Sequence, residues 1–393
     1  MTKEHLRIAI SLGLCIIFVS VGLPAAAKPP ADFQVEVADR EIPDLKTRLA
    51  TIERVVEERR REFKIPGAAL VIVKGDKILF LKGLGQGDVE HNISATADTL
   101  FQIGSTTKSF TAMAAMITVD EGKLSLEDSP RKYLPYFRLQ DVDADSKVTI
   151  RDLLSHRTGL KAYDDEVWIK NERLSREEVI KAIMMKTPLA KLREKFQYNN
   201  VMYTAAGECV ARAQNSTWEQ TVVSRIFAPL GMRASAPSLR DLNDKSKLSF
   251  GYRRGDRPKT IPWRDFSNIA PAGAIISNVR DMALWLRVMI GRGSIDGKRL
   301  VSETGFNELV SSQIKVSEQA DYGLGWGLVK WEGHLLVTHT GGTDGFCSQV
   351  EIMPDQKLGF VLLCNVPDLD LVKEIRKIIW ENLLDIHPGK GPA

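Results

Sequence analysis

The stretch that decides the fold runs from Ile103 to Gly122 and reads IGSTTKSFTAMAAMITVDEG. Its second part is rich in Ala and Met, contains no Pro, and ends at a Gly suited to a C-cap, so it predicts a helix. Gly104 permits a sharp backbone turn just before that helix. We therefore expect Ser105 at the helix start, with Lys108 three residues later on the same face.

The residue types at positions 105 and 108 suggest nucleophilic catalysis. A serine hydroxyl is a weak nucleophile until a base takes its proton, and a neutral lysine one turn away can be that base. The helix N-terminus also favours negative charge developing at the serine. The alternative is that Ser105 only caps the helix and that Lys108 is solvated.

The same Ser-x-x-Lys spacing occurs at two other places, Ser129/Lys132 and Ser312/Lys315. The first is followed by a Pro in a turn-like run, and the second lies in a polar stretch. Ser105 alone stands between a Gly and a long apolar helix, so it is the candidate nucleophile.

Composition places the chain among ordinary globular proteins. It has 393 residues, 44% hydrophobic and 26% charged, which is enough for one large domain or two. The net charge of +4 is small for this length, so nothing indicates a nucleic-acid partner.

The N-terminus has the pattern of a targeting segment. Lys3 and Arg7 precede an apolar run from Ile8 to Leu23, and a short alanine run offers a cleavage site near residue 27. The run is shorter than the ~20 residues that comfortably span a bilayer. We expect residues 1–27 to be a cleaved signal peptide, the protein to be exported to the periplasm or medium, and the mature chain to have no membrane span. Residues 28–43 are polar with several Pro, as in a linker.

Strand patterns lie at the two ends of the chain. Near the start, residues 68–73 and 78–84 predict two strands joined by a hairpin turn. Near the end, four more strands are predicted at residues 322–331, 334–340, 347–353 and 358–364. Because two strands cannot form a stable sheet alone, we expect one largely antiparallel sheet that combines both sets.

Helical patterns flank and interrupt these strands. A helix that opens at Pro43 and a final helix at about residues 370–384 would cover one face of the sheet. Between them, candidate helices lie at residues 176–185, 204–213, 218–227 and 278–290. The fold class is therefore α/β of the α+β type, with a mainly helical lobe at about residues 105–310 and Ser105 at the seam, where pockets are common.

Three cysteines remain if the signal peptide is removed: Cys209, Cys347 and Cys364. The odd number leaves at least one thiol free. A two-residue hairpin turn at Asp355 and Gln356 would place Cys347 directly opposite Cys364, at a Cβ separation a little longer than a disulfide prefers. A disulfide between them is a hypothesis that export would permit, and a longer loop would shift the register.

Two further segments carry candidate site residues. Tyr198 and Asn200, spaced i, i+2 in a predicted loop, can point into one cleft, the Tyr to relay protons and the Asn to bind a substrate amide. Alternatively, they are a packed Tyr and a capping Asn. His339, Thr340, Gly341 and Gly342 follow an apolar strand. The glycines would let a substrate approach closely.

A backbone N–H in that glycine segment could face an oxyanion. His339 could carry positive charge near neutral pH. The alternative is a strand end with a surface His and a Gly turn.

In this order, Ser105-x-x-Lys108, Tyr198-x-Asn200 and His339-Thr340-Gly341 resemble the three signature elements of the serine β-lactamase and penicillin-binding protein superfamily. Further stretches resemble its class C β-lactamase-like branch: residues 153–160 (LLSHRTGL), 270–273 (APAG) and 322–327 (YGLGWG). The resemblance covers residues 52–384 and implies the fold described above. With the flanking helices included, we expect a single hydrolase domain at residues 44–386, followed by a tail at residues 387–393.

The resemblance also implies roles for individual residues. Ser105 would be the acylated nucleophile, Lys108 its base and Tyr198 the proton relay. Asn200, His339, Thr340 and Gly341 would bind substrate, and the N–H groups of Ser105 and Gly342 would form the oxyanion hole. No cofactor or metal is implied. We interpret His156 as structural, since a His in such a turn more often holds a loop in place.

The sequence departs from many class C β-lactamases by having His339 where they carry Lys. This His is similar to that of some D-amino-acid peptidases, D,D-carboxypeptidases and animal mitochondrial relatives, and esterases of the group vary here too. The resemblance therefore implies a serine hydrolase acting on a small-molecule or peptide amide or ester. An esterase, a D-peptidase, a β-lactamase and a non-catalytic relative that binds peptidoglycan or self-associates stay open, as does the oligomeric state.

Overall fold

The computed structural model describes residue 42, residues 44–162 and residues 165–384. The predicted signal peptide, almost all of the predicted linker, and the tail lie outside these residues. In the described residues, no helix is long and apolar enough to cross a bilayer.

The strands lie mainly in one antiparallel sheet. In chain order they are β1 Gly67–Lys74, β2 Lys77–Asp88, β3 Ile93–Ser94, β4 Phe101–Gln102, β5 Gly251–Arg253, β6 Lys259–Ile261, β7 Ile276–Ser277, β8 Ser294–Ile295, β9 Lys298–Arg299, β10 Ile314–Ser317, β11 Ala320–Tyr322, β12 Gly327–Trp331, β13 His334–Gly342, β14 Cys347–Met353 and β15 Leu358–Cys364. Nine of them form the sheet, in the order β10-β11-β12-β13-β14-β15-β1-β2-β3. The N-terminal hairpin thus pairs with the C-terminal strands through β1 and β15, with Ala68 opposite Cys364, as predicted.

The helices are distributed over the chain from end to end. They are α1 Leu45–Glu62, α2 Thr107–Asp120, α3 Val142–Lys147, α4 Ile150–Leu154, α5 Arg176–Met184, α6 Asn200–Ala213, α7 Trp218–Val222, α8 Ala228–Leu230, α9 Ala270–Gly273, α10 Val279–Ile290, α11 Glu303–Leu309 and α12 Leu369–Leu384. Between α7 and α8 the chain forms a π-helical turn at Val223–Phe227.

The central strands are covered on both faces, which explains why β1 is apolar throughout rather than alternating. Ala68, Leu70 and Ile72 belong to the core formed with α1 and α12. Ala69 and Val71, on the opposite face, belong to the larger core that contains α2, α6 and α10. The first and last helices therefore share one face of the sheet, as predicted.

Helix α2 lies at the centre of the larger core. Every residue from Thr107 to Thr118 is buried, so its polar side chains need partners inside the protein. Thr111 donates to the carbonyl oxygen of Pro271 at 2.7 Å and accepts from the indole N–H of Trp218 at 3.0 Å. The stretch that decides the fold is thus a buried axis around which the helical elements pack.

One predicted strand is two strands in the structure. Residues 322–331 divide into β11 and β12 because Gly325 turns the backbone with a φ of +76°. A Cβ atom at Gly325 would lie 2.8 Å from the carbonyl oxygen of Lys108. The turn therefore packs directly on the first turn of α2, and the segment cannot continue as an extended strand.

The hairpin that carries Cys347 and Cys364 has the predicted register. The connection between β14 and β15 is four residues long rather than two, but it is centred at the same point, so Cys347 lies opposite Cys364. Both are buried free cysteines, and the hypothetical disulfide is not formed in the structure. The Cys347 thiol instead donates to the carbonyl oxygen of Asp368 at 3.5 Å.

Candidate active site

Ser105 lies in a single 3₁₀ turn, Gly104–Thr106, directly before α2. Gly104 has a φ of +50°, and a Cβ atom there would lie 2.7 Å from the amide nitrogen of Gly342. Glycine is therefore needed at position 104 both for its backbone conformation and for the close approach of β13. This contact brings the backbone of Ser105 next to the backbone of Gly342.

Lys108 is completely buried one turn beyond Ser105. Its Nζ atom lies 3.1 Å from the Oγ atom of Ser105 and donates to Asn200 Oδ1 at 2.7 Å and to the carbonyl oxygen of Ala272 at 2.8 Å. These two acceptors belong to uncharged amide groups. They fix the position of the amine, whereas a carboxylate partner would stabilise its protonated form.

The two other Ser-x-x-Lys pairs have no comparable surroundings. Ser129 and Ser312 are exposed. Lys132 forms an ion pair with Asp128, and Lys315 forms one with Glu318. Neither lysine is placed to serve as a base for its serine.

Tyr198 and Asn200 enter the site where α6 begins. Asn199 caps the helix by accepting from the N–H of Met202 at 2.9 Å, so capping is done by the residue between the two candidates. This leaves Asn200, 8% exposed, to meet Lys108. The ring centre of Tyr198 lies 4.7 Å from the Nζ atom of Lys108.

His156 contacts the segment that carries Tyr198 and Asn200. Its Nδ1 accepts from the N–H of Asn199 at 3.1 Å, and its ring centre lies 4.3 Å from that of Tyr198. Complete burial holds the pKa of His156 well below its usual range, and a positive charge on Lys108 lowers it further. The residue packs beneath the site as a neutral ring.

The third predicted element forms the C-terminal end of β13. Thr340 donates to Gln349 Oε1 at 2.6 Å, and a Cβ atom at Gly341 would lie 1.9 Å from the carbonyl oxygen of Ile103. Gly341 thus lets β13 pack against the segment that leads into Ser105. Gly342 follows and lines the cavity beside Ser105.

His339 differs from expectation. It is 4% exposed, and burial lowers its pKa to about 3, with a further contribution from the charge of Lys108. Its Nδ1 donates to the carbonyl oxygen of Thr340 at 2.8 Å, so its Nε2 accepts from the Tyr322 hydroxyl at 3.2 Å. Of the two interpretations of His339 offered by the sequence, the surface His at a strand end is excluded by its burial, and the lowered pKa opposes a positive charge near neutral pH.

A small cavity, partly open to solvent, lies over Ser105. Its described lining brings together Ser105, Tyr198, Asn200 and Gly342, but it does not include His339, Thr340 or Gly341, which were also predicted to bind substrate. The lining also contains residues to which sequence analysis gave no role: Trp168, Phe266, Ile269, Ala272, Gly273 and Thr343. The APAG segment at 270–273 was a usable signal for two of them, whereas Trp168 and Phe266 lie in segments without a motif.

The described residues contain no cluster of three or more His, Cys, Asp or Glu side chains placed to hold a metal ion. The polar groups around Ser105 are instead a serine hydroxyl, a lysine amine, a phenol, an amide and backbone N–H groups. This donor set suits acyl transfer through a serine.

The fold and this cluster define a serine β-lactamase and penicillin-binding protein type of protein. The chain belongs to the Beta-lactamase family, whose family model matches residues 52–381. A structure of the octameric penicillin-binding protein homologue from Pyrococcus abyssi superposes with a TM-score of 0.76 at 28% identity, covering 84% of this chain and 77% of that chain.

Curated relatives are similar over a comparable region. Protein flp of Staphylococcus aureus is 29% identical over 320 residues, which covers 80% of this chain and 62% of the relative. The unguisins hydrolase ungD of Aspergillus violaceofuscus is 27% identical over 343 residues, covering 80% of this chain and 60% of the relative. The chain thus spans less than two thirds of the length of these relatives.

Proposed function

We propose that the protein is a serine hydrolase that cleaves an amide or ester through an acyl-enzyme on Ser105. The observation that carries the proposal is the position of the Lys108 amine, buried and 3.1 Å from the Ser105 hydroxyl. This is hydrogen-bond distance for a proton transfer from nucleophile to base. The name of the relative ungD, a hydrolase, agrees with this class of reaction.

In the acylation step, the Oγ atom of Ser105 attacks the substrate carbonyl carbon while its proton passes to neutral Lys108. The tetrahedral intermediate then collapses, the bond to the leaving oxygen or nitrogen breaks, and Tyr198 relays the proton to that atom. Water attacks the ester carbonyl in the second step, which releases the acid and returns the proton to Ser105. Support for Tyr198 is that it lines the cavity beside Ser105, with its ring centre 4.7 Å from the Lys108 amine.

The backbone N–H groups of Ser105 and Gly342 stabilise the negative charge that develops on the substrate carbonyl oxygen. Support comes from Gly104, whose contact with Gly342 brings these two backbone segments together without a side chain between them. Fixed donors of this kind stabilise an oxyanion because they need no reorganisation during the reaction. Asn200 would orient Lys108 and bind a polar group of the substrate.

Export is part of the proposal and is supported by the signal-peptide pattern of residues 1–27. Among the substrate classes, esters are favoured over β-lactams and D-Ala peptides. The last two carry a carboxylate that a cationic side chain would have to hold, and burial keeps His339 uncharged near neutral pH.

The experiment is a panel of a chromogenic cephalosporin, a short-chain nitrophenyl ester and a D-Ala-D-Ala peptide, assayed with the wild type and with Ser105→Ala. We expect turnover of the ester by the wild type and its loss in the variant. Equal rates in both proteins, or no turnover of any substrate, would contradict the proposal, and the second result would favour a non-catalytic relative.

A further inference from the structure

The cavity over Ser105 is uncharged where the structure describes it. None of its lining residues is Asp, Glu, Lys, Arg or His. One side is formed by three buried apolar side chains, Trp168, Phe266 and Ile269. The rings of Trp168 and Phe266 meet edge to face with their centres 6.0 Å apart. We call these three residues the apolar wall.

Two cations lie two residues from a member of this wall: Arg264, before Phe266, and Lys170, which follows Trp168 and is exposed. The Arg264 guanidinium is 25% exposed and forms ion pairs with Glu172 at 3.1 Å and with Asp344 at 3.2 Å. Each acidic residue comes from a segment that also lines the cavity, since Glu172 follows Trp168 and Asp344 follows Thr343. The charge of Arg264 is therefore already balanced by two carboxylates that a substrate carboxylate would have to displace.

The backbone of the Arg264 segment is held in place as well. The side chain of Gln102, 3% exposed, donates from Nε2 to the carbonyl oxygen of Arg264 at 2.9 Å. Turning the Arg264 guanidinium into the cavity would break its ion pairs with Glu172 and Asp344. Moving an unpaired carboxylate from water to an apolar surface is costly.

We infer that the part of the substrate that fills the cavity is uncharged and apolar, seated against Trp168, Phe266 and Ile269, and that Glu172 and Asp344 keep anionic substrates out by occupying Arg264. This inference rests on the proposed acyl transfer at Ser105 and names its substrate class. It makes the enzyme an esterase or amidase for neutral acyl groups.

Two matched pairs of esters test the class, with charge placed first on the acyl side and then on the leaving side. The first pair is nitrophenyl hexanoate and the mononitrophenyl ester of adipic acid. The second is phenyl acetate and 3-acetoxybenzoate. We expect kcat/KM to favour the neutral member of each pair by at least about tenfold, because a buried carboxylate must give up its hydration. A charged member hydrolysed as fast as its neutral partner would overturn the inference.

The role of the two carboxylates is tested with Glu172→Gln/Asp344→Asn and with the same double variant plus Arg264→Met. In the double variant, the ratio of kcat/KM for the neutral ester to kcat/KM for the charged ester should fall by about tenfold, because Arg264 can then bind the substrate carboxylate; tenfold is the scale of one charge-assisted hydrogen bond. Adding Arg264→Met should restore the original ratio. An unchanged ratio in the double variant would show that the ion pairs of Arg264 with Glu172 and Asp344 do not determine the preference for neutral esters.

Failure of this inference and failure of the proposed function are distinguishable. Covalent labelling of Ser105 by a fluorophosphonate, measured for each of these proteins, reports the nucleophile without involving substrate charge. Labelling with no preference between the paired esters overturns the substrate class alone, whereas absence of labelling and of turnover overturns the function.

Discussion

The side-chain oxygen of Asn200 accepts a hydrogen bond of 2.7 Å from the amine of Lys108, 92 positions away in the sequence. The contact joins the start of α6 to the first turn of α2 and sets the amine beside Ser105. Its chemical consequence is that the lysine donates here to a neutral amide. A carboxylate of the same shape would hold the lysine as ammonium, which cannot accept a proton.

Asn200→Asp makes this substitution with little change in size. We expect kcat/KM at pH 7 to fall by about 10²-fold, the usual contribution of a general base, and to recover in part as pH rises and the lysine loses its proton. A pH profile from 6 to 10 measures the shift. Asn200→Ala serves as the control, because it should lower activity without moving the alkaline limb. Parallel profiles for Asn200→Asp and the wild type would show that Lys108 is not the base.

If His339 is neutral throughout the working pH range, the pH profile of kcat/KM should show no change in slope caused by titration of its imidazole. Because burial lowers the pKa of His339 to about 3, its protonation does not change between pH 5 and 8. We expect His339→Gln to alter the absolute rate of ester hydrolysis but to leave the shape of the kcat/KM profile unchanged in that range. A wild-type limb near pH 6.5 that disappears in the variant would show that the imidazole titrates in the active protein.

The same group makes stability depend on pH. With a pKa of about 3 when folded and its ordinary pKa of about 6.5 when unfolded, His339 stabilises the fold fully above pH 6.5. That contribution is lost as pH falls toward 3, since the unfolded chain then binds the proton and the folded chain does not. The slope is at most about 1.4 kcal/mol per pH unit.

Urea unfolding at pH 7 and pH 5 should therefore show a smaller loss of unfolding free energy for His339→Gln than for the wild type. Buried His156 acts in the same direction in both proteins, so the difference between them isolates His339. An identical loss in the two proteins would be inconsistent with a depressed pKa at His339.

Gly104 allows the contact between the Ser105 turn and Gly342. Gly104→Ala should reduce kcat by about 10²-fold, comparable to the loss of an oxyanion donor, because the new Cβ atom would push the two backbones apart. Gly75→Ala is a matched control: its φ of +59° is similar, but a Cβ atom there meets nothing within 4 Å. The left-handed backbone should cost both variants about 1–2 kcal/mol of stability; the contact with Gly342 should add to this loss in Gly104→Ala, and only that variant should lose activity. Equal activity in the two would exclude a role for this contact.

Much of the fold was accessible from sequence because its signals are local. The strands β14 and β15 were predicted with their bounds, and a connection symmetric about Asp355 and Gln356 preserved their register despite its greater length. The local patterns around Ser105, Lys108, Tyr198 and Asn200 left structural alternatives open, and these residues could be selected because their segments match the signature elements of a known superfamily in the same order.

The features that sequence analysis missed depend on contacts between distant segments. In the sequence, His339 has the pattern of a surface residue at a strand end, whereas in the structure it is buried and its imidazole contacts the Tyr322 hydroxyl of β11. Trp168 and Phe266 lie about 100 positions apart in segments without motifs, and they become a wall only through tertiary packing. Sequence periodicity does not predict a tertiary contact of this kind.

The role of Ser105 as the acylated nucleophile is tested most directly by incubating the protein with a fluorophosphonate and mapping the adduct by peptide mass spectrometry. Ser105→Ala and Lys108→Ala are the controls, the first to remove the acceptor and the second to slow its reaction. We predict one adduct per chain, in the peptide that contains Gly104–Lys108, absent from Ser105→Ala. An adduct at Ser129 or Ser312, or none under conditions that label a known serine hydrolase, would contradict this role.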